Sequence, residues 1–173
     1  MIHIHPTAKV SPHARCYAEH LIVGPHTRID DGAIITGEVR LGAYVHIAAY
    51  VLLLGRHSIT IGDYTGIGAF CAVLSGCDDF SGRSMCNPTI PNEYKPHLKE
   101  APVRIGKNVL IGAHTSIMPG VTVNDGAAIG GQSLVSTDCA AQMIYGGVPA
   151  KVLKERRNEM WKLTERFERK RLL

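Results

Sequence analysis

Residues 105–140 read IGKNVL IGAHTS IMPGVT VNDGAA IGGQSL VSTDCA, so every sixth residue is a branched aliphatic. The same beat opens VGPHTR, IDDGAI, ITGEVR, LGAYVH and IAAYVL over residues 23–52, and IGDYTG and IGAFCA over residues 61–72. A fixed period this short is the signature of a hexapeptide β-helix, in which three hexads make one triangular coil. Stacked coils pair every backbone group and bury a continuous aliphatic column. The opening aliphatic of each hexad is expected to point inward. A small or branched residue four places later (Val109, Thr115, Val121, Ala127, Ser133) is expected to do the same near a corner. Gly, Asn and Asp between them tolerate the positive φ of a tight bend.

Outward from this block the beat weakens and then breaks. The first segment keeps it loosely at Ile4, Val10 and Cys16, as terminal coils of solenoids do, and a one-residue slip near His20 resets it at Val23. A second slip over residues 54–59 adds two residues and reads as a bulged corner. From residue 76 to 102 the sequence GCDDFSGRSMCNPTIPNEYKPHLKEAP holds four prolines, two glycines and no six-residue period. That is too long for a corner, and long irregular insertions in compact repeats are usually functional. It is expected to leave the middle coils and lie across a neighbouring surface. Strict repeats resume at Val103 and run to about Ala140, followed by a segment IYGGVPAKVL that reads as extended. The tail KERRNEMWKLTERFERKRLL is rich in helix formers, with Met160, Leu163, Phe167 and Trp161 as an apolar stripe for packing on the prism. Its basic polar face leaves a membrane-surface helix as the alternative. The organisation expected is an all-β prism over residues 1–153 with an inserted loop at 76–102, and a helix over 154–173.

Charge narrows the partners. The net charge is +4, and the tail alone holds eight basic and four acidic residues, which leaves eleven of each sign in the coil region. No basic stripe with interleaved aromatics exists, so nucleic acid is not an expected partner. No apolar run has the length of a signal peptide or a membrane span, so a cytoplasmic protein without stable membrane insertion is expected. Cys16, Cys71 and Cys139 fall on inward hexad positions, while Cys77 and Cys86 lie in the loop, and five is an odd total, so no disulfide framework is expected. Of nine histidines, His5, His13, His26, His46 and His114 take outward or corner positions. His46 and His57, near the middle coils, and His97, in the loop, remain candidates for chemistry. Cys77 as an acyl-carrying nucleophile has no activating partner in the sequence.

The stretch APVRIGKNVLIGAHTSIMPGVTVNDGAAIGGQSLVSTD, followed by GGVPAKVLKER, resembles the left-handed β-helix acyltransferases, in particular the galactoside/maltose acetyltransferase-like branch. The GxPAKxxK motif at residues 147–154 carries the resemblance most specifically. The segment SGCDDFSG with NPTIPNEY is also similar to proteins of surface-polysaccharide gene clusters that acylate sugars or amino sugars on nucleotide carriers. The resemblance implies a left-handed coil, although parallel crossovers are right-handed in about 98% of cases. It implies acetyl-CoA-dependent O- or N-acetylation of a sugar or nucleotide-linked amino sugar, by direct transfer in a ternary complex. It also implies a homotrimer with active sites between subunits, and no metal. Coenzyme A would lie along coil edges at small residues, here Ala113, Gly131 and Ser136. Lys151 and Lys154 would face its phosphates, unless they are ordinary solvated charges.

Catalysis is where the chain departs from that branch. The family's base is a His in a Gly-His-Pro setting, and here the corresponding residues are Gly76-Cys77-Asp78-Asp79. Asp79, or Asp78, is expected to take the proton with a pKa raised by burial beside the other carboxylate. An amine acceptor would need a base less, and a His such as His46 could enter from across a subunit interface. Alternatively the two aspartates cap the start of the loop through side-chain to backbone bonds. Two other readings of the fold stay open. One is a γ-class carbonic anhydrase-like zinc enzyme, although no His-x4-His pair exists here. The other is a non-catalytic scaffold.

Overall fold

Each hexad becomes a short strand and a bend in the computed structural model, which describes residues 1–171. The strands stack in register as three ladders. The first face is an eight-stranded sheet whose first seven strands run parallel from Lys9–Val10 through Arg28–Ile29, His46–Ile47, Gly66–Ile67, Leu110–Ile111 and Ala128–Ile129 to Met143–Gly146, with Lys151–Glu155 closing it antiparallel. Strands Arg15–Val23 and Ile34–Leu41 bend round a corner and so join the other two faces into one sheet. The second face continues with Leu52–Leu54, Ala72–Leu74, Ser116–Ile117 and Leu134–Val135. Ile2–Ile4, Ile59–Ile61, Val103–Ile105 and Thr122–Val123 build the third.

The inward aliphatics form the column that the six-residue period requires. Ile29, Ile35, Ile47, Leu53, Ile67, Ile111 and Ile117 are almost completely shielded, and each such side chain stabilises the fold by roughly 1.5–3 kcal/mol. The fourth-place residues Val109, Thr115, Val121, Ala127 and Ser133 are buried as expected. Where this position is polar, the hydroxyl is satisfied by the neighbouring coil. Thr65 Oγ1 donates to the Gly106 carbonyl at 2.7 Å and accepts the Val109 N–H at 3.1 Å. The slip near His20 is a register shift between Ala18 and His20. At the second slip, buried Ser75 ties the bulged corner by donating to the His57 carbonyl (2.6 Å) and accepting the His57 N–H (2.8 Å).

The corners differ from expectation. Several of their positive-φ positions hold large rings rather than Gly, Asn or Asp: Tyr50, Phe70 and His114 in one column, His26, Tyr44 and Tyr64 in another. The left-handed conformation costs such residues roughly 1–2 kcal/mol. Stacking offsets it, because identical positions of successive coils sit directly above one another. Tyr50 and Phe70 lie 5.1 Å apart and Phe70 and His114 5.0 Å, nearly parallel.

The tail corrects the expected boundary at residue 154. Lys151–Glu155 is a strand that pairs antiparallel with Met143–Gly146, and the helix begins only at Glu159, running Glu159–Arg171 among the described residues. The unpaired edge of the last first-face strand offers N–H and C=O groups, and pairing with them outweighs helix propensity. Residues 172–173 of the expected helix lie outside the described residues. The helix covers the second aromatic column. Thr164 Oγ1 donates to Asn108 Oδ1 (3.3 Å), Phe167 packs edge-on against Tyr44 and Tyr64, and the Arg171 guanidinium lies 4.7 Å over the Tyr44 ring. Leu163, expected in the packing stripe, is 63% exposed, because Met160, Thr164 and Phe167 form the inner face instead. Arg156 secures the connection by donating to the carbonyls of Asn108, Gly126 and Ala127. Among the described residues no helix is long and apolar enough to cross a membrane.

Candidate active site

The loop leaves the prism where the second face meets the third, directly after the buried knot at Ser75. Gly76–Cys77 pairs antiparallel with Lys99–Glu100, so the two stems return side by side. A Cβ at Gly76 would lie 2.5 Å from Arg56 Cδ. Glycine is therefore needed there for the Arg56 stem to pass and reach Glu100 at 3.3 Å.

Inside the loop the two aspartates hold backbone N–H groups. Asp79 accepts the N–H of Ser81 on Oδ1 and that of Arg83 on Oδ2, both at 2.9 Å. Asp78 accepts the Asn87 N–H on Oδ2 at 3.0 Å. The expectation of a raised pKa for Asp79 is corrected. Hydrogen bonding from Ser81, foremost, outweighs the opposing effect of burial and, with a smaller contribution from Arg83, holds the carboxyl below the usual range. Both carboxylates nevertheless line one open cavity of about 500 Å³, together with Cys77, Phe80, Arg83, His97, Lys99 and Met118. The capping and the cavity-lining arrangements thus coexist.

His46 is placed elsewhere in the chain. It projects from the first face, where its Nε2 lies 2.8 Å from Asp30 Oδ2, and Asp30 also pairs with Arg28 at 2.5 Å. Burial pulls the Asp30 carboxyl up, but His46 and Arg28 outweigh it, and the net direction is down. Of the other histidines, His57 stays at the bulged corner and His97 lines the cavity, its backbone N–H on Ser84 Oγ at 3.0 Å. Burial pushes the thiols of Cys16 and Cys71 up, and burial with Asp138 pushes Cys139 up to about 11. These three are packing groups, not nucleophiles. Among the described residues no three His, Cys, Asp or Glu side chains converge as a metal site.

The coenzyme A candidates gather round the last rungs of the prism. Ser116–Ile117 pairs with Leu134–Val135, and the Met118 N–H donates to the Val135 carbonyl at 2.9 Å. Ser136 therefore lies one rung beyond Met118, a wall of the loop cavity. At the other end of the same two rungs, the Ala113 carbonyl accepts the Gln132 N–H at 2.8 Å, and a Cβ on Gly131 would lie 3.0 Å from the Ala113 oxygen. Small residues fit that edge and leave it open to a ligand. The chain then turns at Gly147 (φ 97°), and the Ala150 N–H returns to the Leu134 carbonyl at 2.8 Å. Exposed Lys151 and Lys154 follow on the closing strand. These residues suit a pantetheine arm and its phosphates. Sequence reasoning missed Phe80, Arg83, Lys99 and Met118. Only Met118, at the corner position before Ser136, carried a periodic signal.

Residues 102–137 match the family model for bacterial transferase hexapeptide (six repeats). The chain is 35% identical over 163 residues to the dTDP-4-amino-4,6-dideoxy-D-glucose acyltransferase of Escherichia coli, covering 92% of this chain and 84% of that one. It is similar to AntD, an N-acyltransferase from Bacillus cereus, in complex with dTDP and 3-hydroxybutyryl-CoA. The TM-score there is 0.94 at 35% identity, over 97% of this chain and 90% of the other. A variant of AntD in complex with dTDP-4-amino-4,6-dideoxyglucose and coenzyme A gives 0.92 at 37% identity, over 95% and 88%. The coil is the left-handed β-helix of these neighbours.

Proposed function

The chain belongs to the hexapeptide-repeat sugar acyltransferases, and from that premise we propose that it acylates the amino group of a dTDP-linked 4-amino-4,6-dideoxy sugar. The observation that carries this reading is the near full-length similarity to relatives named for that acceptor. The cavity under the loop supports it, since two carboxylates and two cations suit a ligand with both an ammonium and a diphosphate. The zinc-enzyme and scaffold readings have no counterpart among these relatives.

In this proposal the acceptor lies in the loop cavity with its diphosphate toward Arg83 and Lys99 and its amine toward Asp78. Asp78 takes precedence over Asp79 as proton acceptor, because both oxygens of Asp79 are occupied by backbone N–H groups. Asp79 stays anionic and supplies countercharge for the ammonium. Coenzyme A, when bound, supplies the acyl group as a thioester. Asp78 takes one proton from the ammonium and releases it to solvent, the freed amine forms the new C–N bond as the C–S bond breaks, and the second proton, lost from the nitrogen as the amide forms, passes to the departing sulfur. Ala113, Gly131 and Ser136 leave the pantetheine arm room beside the coil edge, and Lys151 and Lys154 balance the phosphates.

A homotrimer completes the proposal. The outward side chains of the second face, Ile34, Leu52, Leu54, Leu74 and Leu134, form a half-buried apolar strip that a second copy would cover. Between copies His46 of one prism would be available to the site of another. The use of acyl-CoA and a sugar nucleotide supports a cytoplasmic location. The test is mass-spectrometric detection of acyl transfer onto a panel of sugars and nucleotide-linked amino sugars, with acetyl- and 3-hydroxybutyryl-CoA as donors. Transfer to hydroxyl sugars alone would overturn the N-acyl reading.

A further inference from the structure

Residues 76–102 reverse the ordinary rule of burial. Phe80, Met85 and Tyr94 are 90%, 53% and 54% exposed, whereas Lys95 is 4% exposed and is the one buried residue of the segment. Lysine is among the residues least often fully buried, and a buried ammonium requires partners. Its Nζ donates to the carbonyl of Asn87 at 3.1 Å. Its own backbone is also fixed: its N–H closes the turn Asn92–Tyr94 on the Asn92 carbonyl at 2.9 Å, and its carbonyl accepts Leu98 N–H at 3.1 Å.

Asn87 links this lysine to the candidate proton acceptor. It sits at φ 77°, a conformation that needs support from its surroundings. Lys95 holds its carbonyl, and its N–H is given to Asp78 Oδ2 at 3.0 Å. Its side-chain oxygen accepts both the N–H (2.9 Å) and the hydroxyl (2.6 Å) of Thr89. Pinning the groups on either side of one α-carbon fixes its dihedrals, and so fixes where the N–H points.

We propose that Lys95 is a positioning residue, which acts through Asn87 to hold the Asp78 carboxylate in line with the acceptor amine. This rests on the N-acyltransferase reading given above. Lys95 is absent from the cavity lining, so its effect is indirect.

The test compares Lys95→Met, Lys95→Arg, Asp78→Asn and the Lys95→Met/Asp78→Asn double variant as full-length proteins. Lys95→Met is expected to lower kcat/KM for the dTDP-amino sugar by roughly 10- to 100-fold, as misplacement of a reacting group does. KM for acyl-CoA and the melting midpoint of the prism should stay unchanged, and Lys95→Arg should restore part of the rate. The double variant is expected to be no slower than Asp78→Asn alone, since both substitutions disable one unit. The proposal is overturned if Lys95→Met stays within about twofold of wild type, or if the two losses multiply. A wild-type protein inactive on every amino-sugar nucleotide would instead sink the functional reading. Amide hydrogen exchange then decides the inference by itself. Faster exchange in the peptide holding Asn87, with residues 103–140 unaffected, supports it, and unchanged exchange overturns it.

Discussion

Asp79 accepts the backbone N–H of Arg83 at 2.9 Å, so the carboxylate shapes the turn that carries a cation into the cavity. The bonds from Ser81 and Arg83 lower its pKa. A lowered carboxyl contributes order above the ordinary value of about 3.9 and loses it as pH falls through the lowered value. The loop should therefore keep its form throughout the neutral and mildly acidic range. Asp79→Asn is expected to reduce kcat while leaving the acid limb of the pH–rate profile at its wild-type midpoint. A displaced limb would mean that Asp79 itself titrates in turnover.

Lys151 and Lys154 are exposed, so their substitution should touch binding and not folding. Lys151→Glu with Lys154→Glu is expected to raise KM for acyl-CoA by about tenfold, a change of roughly 1.4 kcal/mol. The effect should shrink as salt is added. Steady-state kinetics at two ionic strengths, with melting curves as control, check this.

Phe167 joins the helix to the prism through edge contacts with Tyr44 at 5.1 Å and Tyr64 at 6.1 Å. Phe167→Ala should destabilise the protein by about 1–2 kcal/mol, from two aromatic pairs and partial burial. Leu163→Ala, on the open side, should stay within roughly 0.5 kcal/mol of wild type. Denaturant midpoints measured with constant m-values separate the two.

Thr65→Val conserves shape but leaves the Gly106 carbonyl and the Val109 N–H without their hydroxyl partner. The expected loss is roughly 1–3 kcal/mol, measurable by urea unfolding. A neutral result would mean that a water or a shift of the coil replaces the hydroxyl.

The repeat was legible because burial imposes one rule on every coil. Ile67, Ile111 and Ile129 recur at the same rung position and are inward in both sequence and structure. Even the slip at His20 showed as a break in period. The extended form of residues 151–153 was legible, but the continuation of that strand through Lys154 and Glu155 was hidden, since Lys and Glu suit a helix until an open sheet edge is next to them. Within the loop, Asp78 and Asp79 stood out as acidic neighbours. The backbone partner of Asp78, and the hydrogen bond of buried Lys95, lie at a positive-φ turn at Asn87 that no periodicity encodes. Arg83, His97 and Lys99 meet only because the two stems pair.

The central claim is acyl transfer to the amine of a nucleotide-linked amino sugar. Purified protein incubated with acyl-CoA and dTDP-4-amino-4,6-dideoxyglucose, read by mass spectrometry beside free-thiol release, tests it most directly. The expected result is an N-acylated sugar nucleotide formed in equal amount with free thiol, and lost when the amine is replaced by a hydroxyl. Thiol release without an acylated amine, or equal transfer to the hydroxyl analogue, would contradict it.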